Sequence, residues 1–179
     1  MAALPSPGLR PRWASLAPIS TAAAILLADQ LSKEWVIQHL PLGAMRPLLP
    51  GLLALQHVRN TGAAFSLLSG NPHQLGLVSA LVSVGLLVWI LLRPPQGTWL
   101  SLAFALLLAG AAGNGLDRWR HGSVTDFLAL VPVSFPVFNL ADVAINLAVV
   151  AFLLDALLPH SRTRRTRADS HADSKGEHG

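Results

Sequence analysis

The sequence predicts an all-α membrane protein built on four transmembrane helices, and three observations carry that prediction. Hydrophobic residues make up 52% of the 179 positions and charged residues only 12%, a ratio that a soluble core does not need. Four apolar runs, at about 13–40, 75–92, 99–116 and 137–158, each approach the twenty residues that a hydrocarbon core demands. Arginines bunch at the borders of these runs, where positive charge sets orientation.

Residues 1–12 hold three prolines and two arginines without an apolar period, and are expected to form a disordered cytoplasmic N-terminus. Arg10 and Arg12 ahead of an apolar run suit a secretory signal peptide. Asp29, Lys33 and Glu34 occupy the place where its small-residue cleavage site belongs, so the run is read as a retained first span. Within it Asp29 stands one helical turn before Lys33, the spacing of a favourable ion pair. The plainer alternative has Lys33 and Glu34 snorkelling to an interface.

Residues 40–72 are too polar to span and too apolar for a loose linker. They are expected to pack at the membrane surface, with Leu52 to Val58 as a candidate strand and Asn60-Thr61-Gly62 as a turn. The second span stops at Arg93-Pro94-Pro95, and the third concentrates alanine and glycine late, as tight helix contacts require. Arg162, Arg164, Arg165 and Arg167 follow the fourth. The membrane domain is thus placed at 13–159 and a disordered, basic and polar cytoplasmic tail at 160–179.

With four spans, Arg10, Arg12, Arg93 and the late arginine cluster share one side, which the positive-inside rule makes cytoplasmic. Arg46, Arg59, Arg118 and Arg120 lie opposite, so the rule is obeyed imperfectly. In this topology Asp29, Lys33, Asn114, Asp117, Asp126, Asn139 and Asp142 all gather near the outer surface. Each ionisable group at membrane depth costs roughly 3 kcal/mol, so their collection there points to a functional site. Asn139 and Asp142 are also compatible with a simple helix cap. Two carboxyls in a poorly hydrated place share a proton, and such a pair can activate water with one member while the other protonates a carbonyl oxygen.

Five blocks of residues then carry a resemblance. Asp29-Gln30 with Lys33, Asn60-Thr61-Gly62-Ala63-Ala64-Phe65, Gly113-Asn114-Gly115-Leu116-Asp117-Arg118, Val124-Thr125-Asp126-Phe127 and Phe138-Asn139-Leu140-Ala141-Asp142 resemble, in order, the blocks of lipoprotein signal peptidase, or signal peptidase II. The likeness covers roughly residues 15–158. It implies a membrane aspartic endopeptidase that removes signal peptides from bacterial prolipoproteins, cutting before a diacylglyceryl-modified cysteine. By motif, Asp126 and Asp142 become the catalytic pair. Asn60, Asn114 and Asn139, with Gly62, would hold the substrate backbone or the pair, and Asp29, Lys33, Asp117 and Arg118 would brace the site.

The resemblance also implies a small extracytoplasmic β-cradle between the first two spans, and a location in the bacterial cytoplasmic membrane with both termini inside. The expected partners are diacylglyceryl-modified prolipoproteins and membrane lipid, with no nucleic acid, no cofactor and no metal, and the chain is expected to act as a monomer. Two departures stand out: the family's paired glycine ahead of the third block reads Gly110-Ala111, and the connection from Asp126 to Asp142 is short.

Other functions fit less well. The absence of cysteine removes thiol nucleophiles and thiolate metal sites. A Ser/Lys peptidase would need Lys33 to activate Ser32, which faces elsewhere on a helix, or Ser66. A small proton or ion carrier would spread its carboxylates through the membrane depth rather than cluster them. No HExxH-type metal motif is present, and the histidines are scattered.

Overall fold

The computed structural model describes residues 15–62 and 72–158. Arg10, Arg12, the segment with Phe65 and Ser66, and the arginine-rich tail fall outside the described residues. The described elements run α1 (Leu16–His39), β1 (Met45–Leu49), β2 (Leu53–Asn60), α2 (Pro72–Leu92), α3 (Thr98–His121), β3 (Val124–Leu130) and α4 (Leu140–Leu157).

Three of the described helices, at His73–Leu92, Thr98–His121 and Leu140–Leu157, are long and apolar enough to cross a membrane. The first, with 24 residues, is long enough too, but Asp29, Gln30, Lys33 and Glu34 dilute its second half and it is not among them. α3 is the central helix: half of its apolar window is buried (50%) against only 17% for α2, whose leucines and valines face outward.

Small residues let the neighbours close on α3. A Cβ on Gly110 would stand 2.5 Å from Ile145 Cγ1 and 2.6 Å from the Ala141 carbonyl oxygen of α4. One on Gly115 would stand 2.9 Å from Ser79 Cβ of α2, and one on Gly113 would stand 2.6 Å from Asp29 Oδ2 of α1. Each flanking helix therefore packs against a different glycine of α3. The tightest contact falls on Gly110 itself, so Ala111 in place of a second glycine does not obstruct it.

The strands form one antiparallel sheet in the order β1-β2-β3. In the β2–β3 ladder Val58 pairs with Asp126, and Asn60 with Val124. Phe127 buries against Val36 and Leu40 at the end of α1, with Leu55 and Leu128 around them, which fastens the sheet to one end of the helices.

Several expectations need correction. The fold is not purely helical outside the segment between the first two helices: β3, from between α3 and α4, completes the sheet. Periodicity does not reveal that strand because residues 124–127 are all buried, so the alternation of a half-exposed strand is missing. The candidate strand at Leu52 to Val58 exists, as Leu53–Asn60.

The third helix does not stop at Leu116 but continues to His121, because charges end a hydropathy window without ending a helix. Gly122 ends it, with φ 67° and its N–H donating to the Arg118 carbonyl. The fourth begins at Leu140 rather than Val137, since the Phe138 backbone is held extended by exchanging hydrogen bonds with Leu128.

Candidate active site

One end of the bundle collects the C-terminal ends of α1 and α3, the start of α4 and the sheet. All ten residues singled out from the sequence meet there. Asp126 projects from β3, and its Oδ2 accepts from Asn60 Nδ2 on the neighbouring strand at 2.9 Å. Its Oδ1 accepts from Asn139 Nδ2 at 2.6 Å.

Asp142 lies on the first turn of α4. Its Oδ1 accepts from Asn114 Nδ2 at 2.7 Å and its Oδ2 from the Asn139 backbone N–H at 3.2 Å. Asn139 Oδ1 accepts in return from the Asp142 N–H at 3.0 Å, which makes the pair a capping box. Cap and site are therefore the same structure: Asn139 starts the helix and touches both carboxyls. Asp126 is buried, whereas Asp142 is only partly covered.

Burial shapes the electrostatics of Asp126. Loss of water pushes its carboxyl up to about 6, aided by the nearby Asp142 charge and opposed by the amides of Asn60 and Asn139 and by the Lys33 ammonium. An ordinary aspartate would have lost its proton about two pH units lower.

Behind the pair lies a second layer. Lys33 Nζ is 2.8 Å from Asp29 Oδ2, 3.1 Å from Asp117 Oδ2 and 3.0 Å from Asn114 Oδ1, which occupies all three of its hydrogens. Lys33 is 2% exposed, so it does not snorkel. Asp29 Oδ1 accepts from the Ala141 N–H at 2.9 Å, and Asp117 Oδ2 from the Thr125 N–H at 3.1 Å. Each of these carboxylates thus grips the backbone next to one member of the Asp126/Asp142 pair.

Arg118 donates from Nη1 to the Asn114 carbonyl and from Nη2 to the Gly62 carbonyl, both at 3.1 Å. The Gly62 N–H donates to Asn60 Oδ1 at 3.0 Å, so Gly62 takes part through its backbone. Gln30 belongs to the first sequence block, where the motif assigns it no role. Its Nε2 lies within hydrogen-bond reach of Asp29 Oδ2, Asp117 Oδ1 and the Gly113 carbonyl, and its Oε1 accepts from Arg120 Nη1. The signal for it in the sequence is its place one turn before Lys33 on the same helix face.

A family model described as signal peptidase (SPase) II matches residues 21–158. The chain belongs to the signal peptidase II family. Among its relatives, a lipoprotein signal peptidase of Synechococcus sp. (strain RCC307) is 58% identical over 138 residues, covering 76% of this chain and 91% of that one. Another, of Parasynechococcus marenigrum (strain WH8102), is 50% identical and covers 76% of this chain and 86% of its own length. A solved structure described as a bacterial membrane enzyme, obtained by the in meso method at 2.3 Å resolution, superposes with a TM-score of 0.72 at 27% identity. That match covers 79% of this chain and 87% of the other. The signal peptidase II blocks read from the sequence lie within the matched region, and of them only residues 63–65 fall outside the described residues.

Proposed function

We propose that this signal peptidase II removes signal peptides from prolipoproteins with Asp126 and Asp142 as its catalytic pair, cutting before a diacylglyceryl-modified cysteine. The observation that carries the assignment is the single residue Asn139, which donates to both carboxyls at a buried end of the bundle. Burial favours the shared proton on Asp126, so Asp126 is the acid that protonates the scissile carbonyl oxygen. The more open Asp142 is the base that takes a proton from the attacking water. Collapse of the tetrahedral intermediate breaks the C–N bond, and a proton passes from the pair to the departing amine. This chemistry uses water and two carboxyls, and calls on no cofactor.

The same reading places α1 in the membrane as a fourth span. Asp29, Gln30 and Lys33 turn toward α3, while Leu27 (59% exposed) and Leu31 (60%) face outward, as lipid contact requires. Trp35 and Trp119 are exposed at the site end, and Trp89 and Trp99 at the other, an arrangement that suits two interfacial belts. Arg93 lies over the Trp89 ring at the end away from the site. Arg118 and Arg120 are engaged in the site network, so their position on the outer side does not weigh against orientation. These features support both termini in the cytoplasm, a site near the outer face of the cytoplasmic membrane, and the sheet as an extracytoplasmic cradle.

A precursor carrying the diacylglyceryl group should be cleaved far more efficiently than its unmodified twin in the same membrane. Anchored acyl chains hold the scissile bond at the depth of the pair and save orientational entropy. Equal kcat/KM for the two would remove lipid as the determinant.

The activity should also depend on pH in a stated direction. A raised carboxyl keeps its proton to higher pH, so the acid form of Asp126 is present below about 6 and lost above it. In the free enzyme, kcat/KM should therefore fall on an alkaline limb near that value. The limb of kcat should lie higher, because bound substrate displaces water and disfavours the ionised form further. A profile flat between about pH 5 and about pH 9 would contradict the acid role of Asp126.

A further inference from the structure

We infer that Gln30, oriented by Arg120, is a positioning residue that sets the separation of Asp126 and Asp142 by locking the Asp29–Lys33–Asp117 clamp. This rests on the assignment of those two aspartates as the catalytic pair. The inference starts from how the two carboxyls are held from behind. Asp142 follows Ala141, whose N–H is gripped by Asp29. Asp126 follows Thr125, whose N–H is gripped by Asp117.

One member of the pair rides on a helix and the other on a strand, and β3 makes its own ladder with β2. Asn139 and the Phe138–Leu128 backbone pairing join the two supports at the front, and behind the pair they are joined a second time through Asp29 and Asp117, by Lys33 with its charge and Gln30 with its amide. Each carboxylate is held by one backbone N–H and by the ammonium of Lys33, a near-spherical charge that sets no angle between the two. The planar amide of Gln30 fixes that angle by spanning Asp29 Oδ2 and Asp117 Oδ1, each at 3.1 Å, while reaching the Gly113 carbonyl at 3.3 Å.

An amide can flip and present oxygen to the same carboxylates, which would repel them. Arg120 decides against that orientation, because its Nη1 donates to Gln30 Oε1 at 3.2 Å. Gln30, Lys33, Asp117, Arg120 and Glu34 line a cavity of about 210 Å³ between α1 and α3, so this support is reached from outside the seam. Hydrogen bonds and ion pairs connect Arg120 through Gln30, the clamp and Asn114 to Asp142 without a break.

The test uses the full-length enzyme in detergent micelles with a diacylglyceryl-modified prolipoprotein. Gln30→Met keeps the length of the side chain and removes the amide. We expect kcat to fall about tenfold with KM within about twofold, and the alkaline limb of kcat/KM to move to lower pH. The direction follows because a looser clamp separates the pair, and the Asp142 charge then raises the Asp126 carboxyl less.

A merely structural role would reduce the amount of active enzyme without moving the limb. Should Gln30→Met fail to fold, Arg120→Ala at the exposed end of the chain decides the matter. It should lower kcat about two- to threefold, and Arg120→Lys, which restores a donor, should recover it. An unmoved pH limb in folded Gln30→Met, or an unchanged kcat in Arg120→Ala, overturns the inference. Activity in Asp126→Asn or Asp142→Asn, measured alongside, would instead overturn the assignment of the pair and is thereby distinguished.

Discussion

Replacing Asp126 or Asp142 with asparagine should abolish cleavage while leaving a folded, membrane-inserted protein. In the proposed mechanism each carboxyl has its own proton to move in the same step, and general acid–base catalysis of this kind is worth about 10² to 10⁴ per group. A loss of roughly a thousandfold or more in kcat is expected for either variant. Folding should survive for a physical reason. Asparagine has the same shape, and Asp126→Asn removes a charge that burial opposes. The variant forfeits one acceptor facing the Asn60 or Asn139 amide, at about 1–3 kcal/mol. Turnover per folded molecule, with melting followed in parallel, is the measurement. Near-normal turnover by either variant would exclude the pair. Asp117→Asn is the control: it grips Thr125 and Lys33 rather than substrate, so its activity should fall less completely or fall together with stability.

The largest effect on stability should come from Lys33→Met. Asp29 and Asp117 are 0% and 2% exposed, and the single ammonium between them pairs with both. Removing one partner of a buried ion pair costs about 3–5 kcal/mol, because the charge left behind has no water to turn to. That is a large part of the roughly 5–15 kcal/mol that holds a typical domain folded. The variant should therefore show a much lowered melting temperature or accumulate poorly. Adding Asp29→Asn should recover part of the loss, since one of the stranded charges is then gone. Unaltered melting in Lys33→Met would mean that the clamp does not carry the charge balance described for it.

Much of this architecture is legible in the residues, and the parts that are not share a cause. Apolar run length locates the helices, because a bilayer imposes a fixed span. Seven of the ten site residues are readable as a set because polar groups are costly where these lie, and Asn60, Gly62 and Arg118 are readable only through the family's ordered blocks. The helix boundaries at His121 and Asn139 escape a hydropathy reading by several residues, since hydropathy reports what a segment dissolves in and not where its hydrogen bonds stop. Gln30 has no visible role in the motif that contains it: a neutral amide on a helix has many bland uses, and only its three acceptors reveal this one.

Membrane character, family and the identity of the polar residues are fixed by the residues alone, because composition, run length and ordered motifs are properties of the chain read along its length. Other features exist only in the folded molecule: Asp126 sits on a strand completing the sheet, Asn139 is at once helix cap and bridge between the carboxyls, and Asp29 and Asp117 hold opposite members of the pair. Those contacts join residues up to 112 positions apart. No local propensity encodes such a pairing, which forms once helix ends and a sheet have been brought to one place by burial and by the close approach that the glycines of α3 allow.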